Sequence, residues 1–362
     1  MTRNILLLLS VFLISTAVSG CAPTKLVKPS STSLIEIARS DRQWTGIAVA
    51  RDGRIFVNYP RWSDNVPFSV GELKPGGSVT PYPTMEMNRW VPGSDPAKTF
   101  VCVQSVVVDG DGFLWILDAA NPKFKGVVTG GPKLLKIDLA ANRIIQTVRF
   151  AEPVIQAGSY LNDMRIDTRR QIAYLTDSGS GAIVVTDLAT GTSRRLLANH
   201  PSTLAEATAL TIEGQPWLQP DGSAKKVHSD GIALDTAGEY LYYQALTGRT
   251  LYRIETRWLR DSRLTEQELA AKVKSLGQTG AADGLLFGPD NRIYISSLEE
   301  NAIKAVTPGG TAEIVVQSPE LAWPDSFALG PDGSIYVTTS QIHRGPNPPE
   351  PYKIFKLEKY FR

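Results

Sequence analysis

Six times along the chain a polar residue is followed by a short run of alternating apolar positions, an Asp/Gly-type turn, and a second apolar run with an aromatic near its middle. The first copy is Thr45-Gly46-Ile47-Ala48-Val49, Asp52-Gly53 and Ile55-Phe56-Val57; the second is Gln104-Ser105-Val106-Val107-Val108, Asp111-Gly112 and Leu114-Trp115-Ile116. The remaining copies open at Asn162, Asp230, Asp283 and Asp325 and carry Tyr174, Tyr242, Tyr294 and Tyr336 in their second runs. Alternation with a period of two marks half-buried strands and Asp-Gly punctuation marks tight hairpins, so each copy reads as two adjacent antiparallel strands. Six such sheets in succession predict an all-β fold, a six-bladed β-propeller of four-stranded antiparallel blades.

Outer strands follow from further apolar runs: 133–138 and 143–148 for the second blade, 181–187 and 193–197 for the third, 250–254 for the fourth, 302–306 and 313–316 for the fifth. After the sixth hairpin, residues 352–357 supply a third strand and nothing after them supplies a fourth. The alternating segment 33–38 has no partner in the first repeat. It is assigned to the last blade, so that pairing of the N-terminal and C-terminal strands closes the ring and leaves no open inter-blade gap. Between the fourth and fifth copies, Thr265-Glu266-Gln267-Glu268 has the form of a capping box, and the helix formers up to Leu276 predict a short surface helix before Gly277. Segments 59–100, with Trp62 and Trp90, and 210–227, with Trp217, exceed what hairpins need and are expected to fold over a face, where their aromatics line a pocket mouth or pack on the blades.

A propeller sets its innermost strands around an axis, so the polar residue that opens each repeat faces a shared channel. That ring is Thr45, Gln104, Asn162, Asp230, Asp283 and Asp325. Three carboxylates so close are unfavourable unless a cation, a proton or a donor network compensates, which predicts a positively charged guest. In a binding reading an ammonium pairs with Asp230, Asp283 or Asp325, donates to Asn162 or Gln104, and its ring lies against an aromatic such as Phe327 or a loop Trp. In a hydrolase reading Asn162, Asp230 and Asp283 hold Ca2+ or another divalent cation and His228, beside the channel mouth, is the general base. The plainer alternative is that these aspartates cap strand ends and join blades, leaving a scaffold for envelope partners. No nucleophile elbow, phosphate loop, Cys-x-x-Cys or His-Glu-x-x-His motif is present, so covalent catalysis has no support and binding and catalysis both stay open.

Composition narrows the partners. The 38 basic and 36 acidic residues are interspersed and give a net charge of +2, so no basic patch points to nucleic acid. Residues 1–20 carry Arg3, an apolar run and then small residues, the layout of a secretory signal. Val18-Ser19-Gly20-Cys21 has the form of a lipobox, which predicts acylation at Cys21, and the following Ala22 points to the periplasmic face of the outer membrane. Residues 21–32 then form a Lys/Pro/Ser-rich tether, and 33–362 the propeller. Cys102 is left alone between two valines and reads as an inert, buried thiol.

Several segments together resemble the major royal jelly protein and insect yellow family, in a bacterial member. They are Leu161-Asn162-Asp163-Met164-Arg165-Ile166-Asp167, Ala173-Tyr174-Leu175-Thr176-Asp177-Ser178-Gly179, Ser229-Asp230-Gly231-Ile232-Ala233-Leu234, Leu251-Tyr252-Arg253-Ile254, Ala282-Asp283-Gly284-Leu285 and Trp323-Pro324-Asp325-Ser326. The resemblance implies a six-bladed propeller, with relatives that bind biogenic amines in the channel and others linked to dopachrome conversion. The architecture is also similar to gluconolactonase and regucalcin propellers, which hold a divalent cation with a Glu, Asn and Asp set. Asn162, Asp230 and Asp283 occupy comparable positions, while Thr45-Gly46-Ile47 stands where that family has Glu-Gly-Pro.

Overall fold

A computed structural model describes residues 33–64, 66–358 and 360–361; the predicted leader, the acylation position Cys21 and the tether lie outside them. Six four-stranded antiparallel sheets follow one another along the chain, each built outward from an inner strand. The inner strands are Ile47–Val49, Val103–Val108, Leu161–Asp167, Ser229–Leu234, Ala282–Phe287 and Pro324–Leu329. Each packs against the next, and the sixth packs against the first, so the sheets form a closed propeller.

Closure uses the predicted strand exchange. Leu34–Ser40 pairs antiparallel with Tyr352–Leu357, placing Leu34 opposite Leu357 and Ser40 opposite Tyr352, and so completes the sixth blade. Every sheet then has the same depth and no gap between blades exposes unpaired backbone.

The aromatics of the second strands hold the blades together. Phe56 lies in a core cluster with Val103 and Val106 of the second blade, Trp115 with Leu161 and Met164 of the third, and Tyr174 with Ile232 and Leu241 of the fourth. Tyr242 meets Leu285 and Ile295 of the fifth blade, Tyr294 meets Ile335 and Val337 of the sixth, and Tyr336 meets Ile47 and Val57 of the first. Burying one such ring contributes about 1.5–3 kcal/mol, so the repeat that identifies a blade also cements it to its neighbour.

Two blades differ from expectation in their outer strands. The capping box at Thr265 is present, but its helix stops after Glu266–Ala270, and Lys274–Gln278 is instead the outer strand of the fourth blade. Its residues favour a helix weakly, whereas the exposed edge of Thr250–Glu255 offers a full row of backbone partners; tertiary pairing overrides propensity. In the 59–100 segment, Val70–Leu73 and Val79–Pro81 complete the first blade, and only the remainder forms the covering loop. These strands are too short for alternation to declare them.

A buried ion pair ties that loop down. Lys133 Nζ lies 2.7 Å from Asp118 Oδ2 with both side chains essentially inaccessible, and also donates to the carbonyls of Pro96, Thr99 and Gly131. Asp118 accepts in addition from the amides of Val101, Cys102 and Ala120. Asp177 repeats the device one blade on, accepting from the Tyr160 amide and from Arg195. In both blades the carboxylate at the end of the second strand fixes the backbone two residues ahead of the channel position. Cys102 is fully buried, and burial pushes its thiol up to about 12, in keeping with an inert role.

A candidate ligand cavity at the channel mouth

Five of the six inner strands, all but the first, are irregular where their polar residue sits. The pairing register with the second strand shifts between Val103 and Ser105, Leu161 and Met164, Ser229 and Ile232, Ala282 and Leu285, and Pro324 and Phe327. A bulge frees residues from the ladder and re-aims them. The loosened backbone is caught by a polar side chain of the second strand: Thr176 Oγ1 accepts from the Asp163 amide, Ser296 Oγ from the Asp283 and Gly284 amides, and Thr338 Oγ1 from the Ser326 amide.

Thr176 and Thr338, and Asn58, whose Oδ1 accepts from the Gly46 amide in the first blade, also reach the next blade. Asn58 donates to the Gln104 carbonyl, Thr176 to the Asp230 carbonyl and Thr338 to the Thr45 carbonyl. A channel residue is therefore positioned by its own blade through the amide that follows and by the preceding blade through its carbonyl. Glycine after the channel position makes room for this approach: a Cβ on Gly231 would lie 2.4 Å from the Asp283 carbonyl oxygen, and one on Gly284 would lie 2.1 Å from that of Asp325.

Gln104, Asn162, Asp230, Asp283 and Asp325 line one cavity of about 470 Å3, within the range of small-molecule sites. Aromatics wall it on two sides. Trp62, Phe124 and Tyr160 form one group, with Phe124 centred 5.6 Å from Trp62 and 5.0 Å from Tyr160; Trp217 and Trp323 meet edge to face at 4.8 Å in the other. Leu246 and Ile342 add apolar surface, and Lys225 and Lys226 line it as well. The acids are buried, Lys225 is half-buried and Lys226 exposed, so the cavity runs from an acidic floor to a basic lip.

A directed chain of hydrogen bonds orients the floor. The Trp62 indole, which can only donate, gives its proton to Tyr160 Oη at 2.7 Å; Tyr160 donates to Gln104 Oε1 at 2.8 Å; Gln104 Nε2 donates to Asn162 Oδ1 at 3.2 Å; Asn162 Nδ2 donates to Asp230 Oδ2 at 2.7 Å. From the other wall, Trp323 Nε1 donates to Asp283 Oδ2 at 2.6 Å. Trp323 holds a left-handed backbone, φ 58°, a costly conformation for a bulky side chain that places its indole over the acids.

Burial is the main cause that pushes the carboxyls up. Asp230 stands well above its ordinary range through desolvation and then through Asp283, and Asp325 likewise through desolvation and Asp283. Asp283 is pushed up to about 7 by desolvation, with the Trp323 hydrogen bond restraining the rise. Near neutral pH the floor thus holds protons as well as charge. On the same inner strand as Asn162, Arg165 is half-buried, donates to the carbonyls of Met164 and Leu285, and lies 3.9 Å from Asp163.

Three sequence-predicted residues sit elsewhere. Thr45 is fully buried between blades, accepting from Asn58 Nδ2 and donating to the Gln104 carbonyl, and does not reach the cavity. Phe327 is core: past the bulge its ring turns to Tyr294, Ile335 and Val337, so it cannot be the platform for a ligand ring. His228 is not among the residues that line the cavity; its Nδ1 accepts from the Ala205 amide, which ties it to that loop and occupies the nitrogen's lone pair. Conversely, Phe124, Tyr160, Trp323, Lys225 and Lys226 were not singled out from sequence as lining residues, because all lie in connections before or beyond the repeated strands.

The set does not fit a metal as arranged. Asn162 turns its amide N–H toward Asp230 and its oxygen toward Gln104, an orientation fixed back to the donor-only Trp62, so it presents a donor where a metal needs an oxygen. Among the described residues no three of His, Cys, Asp and Glu are grouped to hold a metal ion.

Comparison with known proteins agrees with the architecture. The chain is 25% identical over 221 residues to major royal jelly protein 7 of Apis mellifera, covering 56% of this chain and 46% of that protein. It spans about half the length of the curated relatives it matches. Among solved structures, a calcium-binding regucalcin from Agrobacterium tumefaciens superposes with a TM-score of 0.53 at 14% identity, over 89% of this chain and 93% of that one. A gluconolactonase from Xanthomonas campestris gives 0.54 at 12% identity, over 90% and 89%. These likenesses establish the propeller fold. The major royal jelly protein family profile matches residues 101–343, which hold the second to fifth blades and all five cavity-lining channel positions, and the chain belongs to that family.

Proposed function

We propose that the protein captures a small organic cation, its ammonium on Asp230, Asp283 and Asp325 and its apolar body between the Trp62–Phe124–Tyr160 and Trp217–Trp323 walls. One observation carries this reading: three buried carboxyls converge on one cavity floor whose other hydrogen-bonding groups are neutral amides, hydroxyls and an indole. A cation relieves their mutual repulsion, and the aromatic faces favour it further. Binding then shifts the shared protons off the floor. With tryptamine as the probe, calorimetry near neutral pH in two buffers of different ionisation enthalpy is expected to show net proton release, and Asp283→Asn to weaken binding. Indifference of the protein to tryptamine, with wild-type thermal stability unchanged at saturating probe, would end the proposal.

The fold likeness to a gluconolactonase and to a calcium-binding regucalcin favours a second reading, hydrolysis of a lactone-type substrate with Ca2+ or another divalent cation. It requires Asn162 to reverse its amide and give up its bonds to Gln104 and Asp230. A saturable thermal stabilisation by Ca2+ that Asp230→Asn abolishes would support it over the first. Export and anchoring through an acylated Cys21 of a bacterial envelope protein belong to the same proposal. They rest on residues 1–21, and labelling with a radioactive fatty acid that Cys21→Ala removes is their test. Among the described residues no helix is long and apolar enough to cross a membrane.

A further inference from the structure

The floor and the lip of the cavity carry opposite charge. Lys225 and Lys226 both line it, and neither forms an ion pair with a described acid. Lys225 instead holds its ammonium 4.9 Å from the centre of the Trp217 ring, which is itself packed on Trp323. The lysine is therefore placed on the aromatic wall that leads down to Asp283, through Trp323 and its hydrogen bond. Two adjacent ammonium groups repel a simple cation at the entrance, yet the floor demands one. A guest that carries an anionic group on the same molecule satisfies both ends.

We propose that the ligand class is amphoteric: an aromatic amine that also bears a carboxylate, as an aromatic amino acid does, with its ammonium on the acidic floor and its carboxylate on Lys225 and Lys226. This rests on the cation-capture reading and adds the second anchor. The exposed Gln219 amide, which also lines the cavity, supplies a further donor at the lip.

An isosteric series separates the two anchors: tryptamine carries only the amine, indole-3-propionate only the carboxylate, and tryptophan both. Titration of each into the wild-type protein is expected to give tryptophan an advantage over tryptamine of about tenfold or more, the return for one additional charge-assisted contact. Indole-3-propionate is expected to bind least, because the floor repels it. In Lys225→Gln/Lys226→Gln, which keeps long polar side chains, tryptophan loses its advantage over tryptamine. Tryptamine binding as tightly as tryptophan to the wild type, or a tryptophan preference that survives in the double variant, would overturn the amphoteric assignment and leave cation capture standing. Failure of all three probes to bind would overturn both.

Discussion

Replacing Asp283 by asparagine keeps the shape of the floor and an acceptor for the Trp323 indole while removing a titrating group, and its effect has a definite sign. In the folded protein the Asp283 carboxyl is pushed up to about 7, chiefly by desolvation, against 3.8 for the unperturbed group. The folded state therefore binds more protons than the unfolded chain between these values. Stability from this group is fully present below the unfolded pKa and is lost as pH rises through the folded one. Between pH 5 and pH 8 the loss is about 3 kcal/mol, since each pH unit inside the window corresponds to roughly 1.4 kcal/mol. His200, His228 and His343, all held low by burial, act in the opposite direction over part of that range. Subtracting wild type from variant cancels them. Urea unfolding of both proteins across pH 5 to 8 should then show Asp283→Asn gaining on wild type as pH rises, by on the order of 3 kcal/mol. A constant difference would mean that Asp283 titrates normally, and a floor of ordinary ionised carboxylates would replace the proton-sharing one.

Trp323→Phe removes the donor that restrains the Asp283 carboxyl, so the pH midpoint of that same stability difference is expected to move upward; an unchanged midpoint would deny the indole its electrostatic role. Lys133→Met leaves Asp118 buried and without its cation, and should lower stability by about 3–5 kcal/mol in urea unfolding; a loss under about 1 kcal/mol would show that the pair does not pin the 96–102 backbone. Gly284→Ala forces a Cβ against the Asp325 carbonyl oxygen across the inner-strand contact. A cost of about 1–3 kcal/mol is expected, read as a lowered Tm, and full wild-type stability would contradict the close approach.

Local chemistry made much of this molecule readable. Alternation, Asp-Gly turns and one aromatic per second strand declare a blade by themselves, and Leu34–Ser40 declared itself the borrowed strand by having no nearer partner. The ring of Gln104, Asn162, Asp230, Asp283 and Asp325 could be named because pseudo-symmetry converts an equivalent sequence position into an equivalent place. Thr45 obeyed the repeat but not the site, since it does not line the cavity and Asn58 occupies its hydroxyl. Phe327 failed for a different reason: period two continues on paper through the bulge at 324–327, whereas the backbone there changes which face each residue presents.

The sequence by itself determined the blade count, the closure and the acidity of the channel, because each depends on spacing within about a dozen residues or on repetition of that spacing. Tertiary structure alone decided what surrounds the acids. Trp62, Tyr160, Trp217 and Trp323 come from four separate connections; Tyr160 and Trp323 share a place two residues ahead of their channel positions, Trp62 and Trp217 share none, and the four meet only after the ring closes. The amide orientation of Asn162 was equally out of reach, being set three hydrogen bonds away by an indole that can only donate.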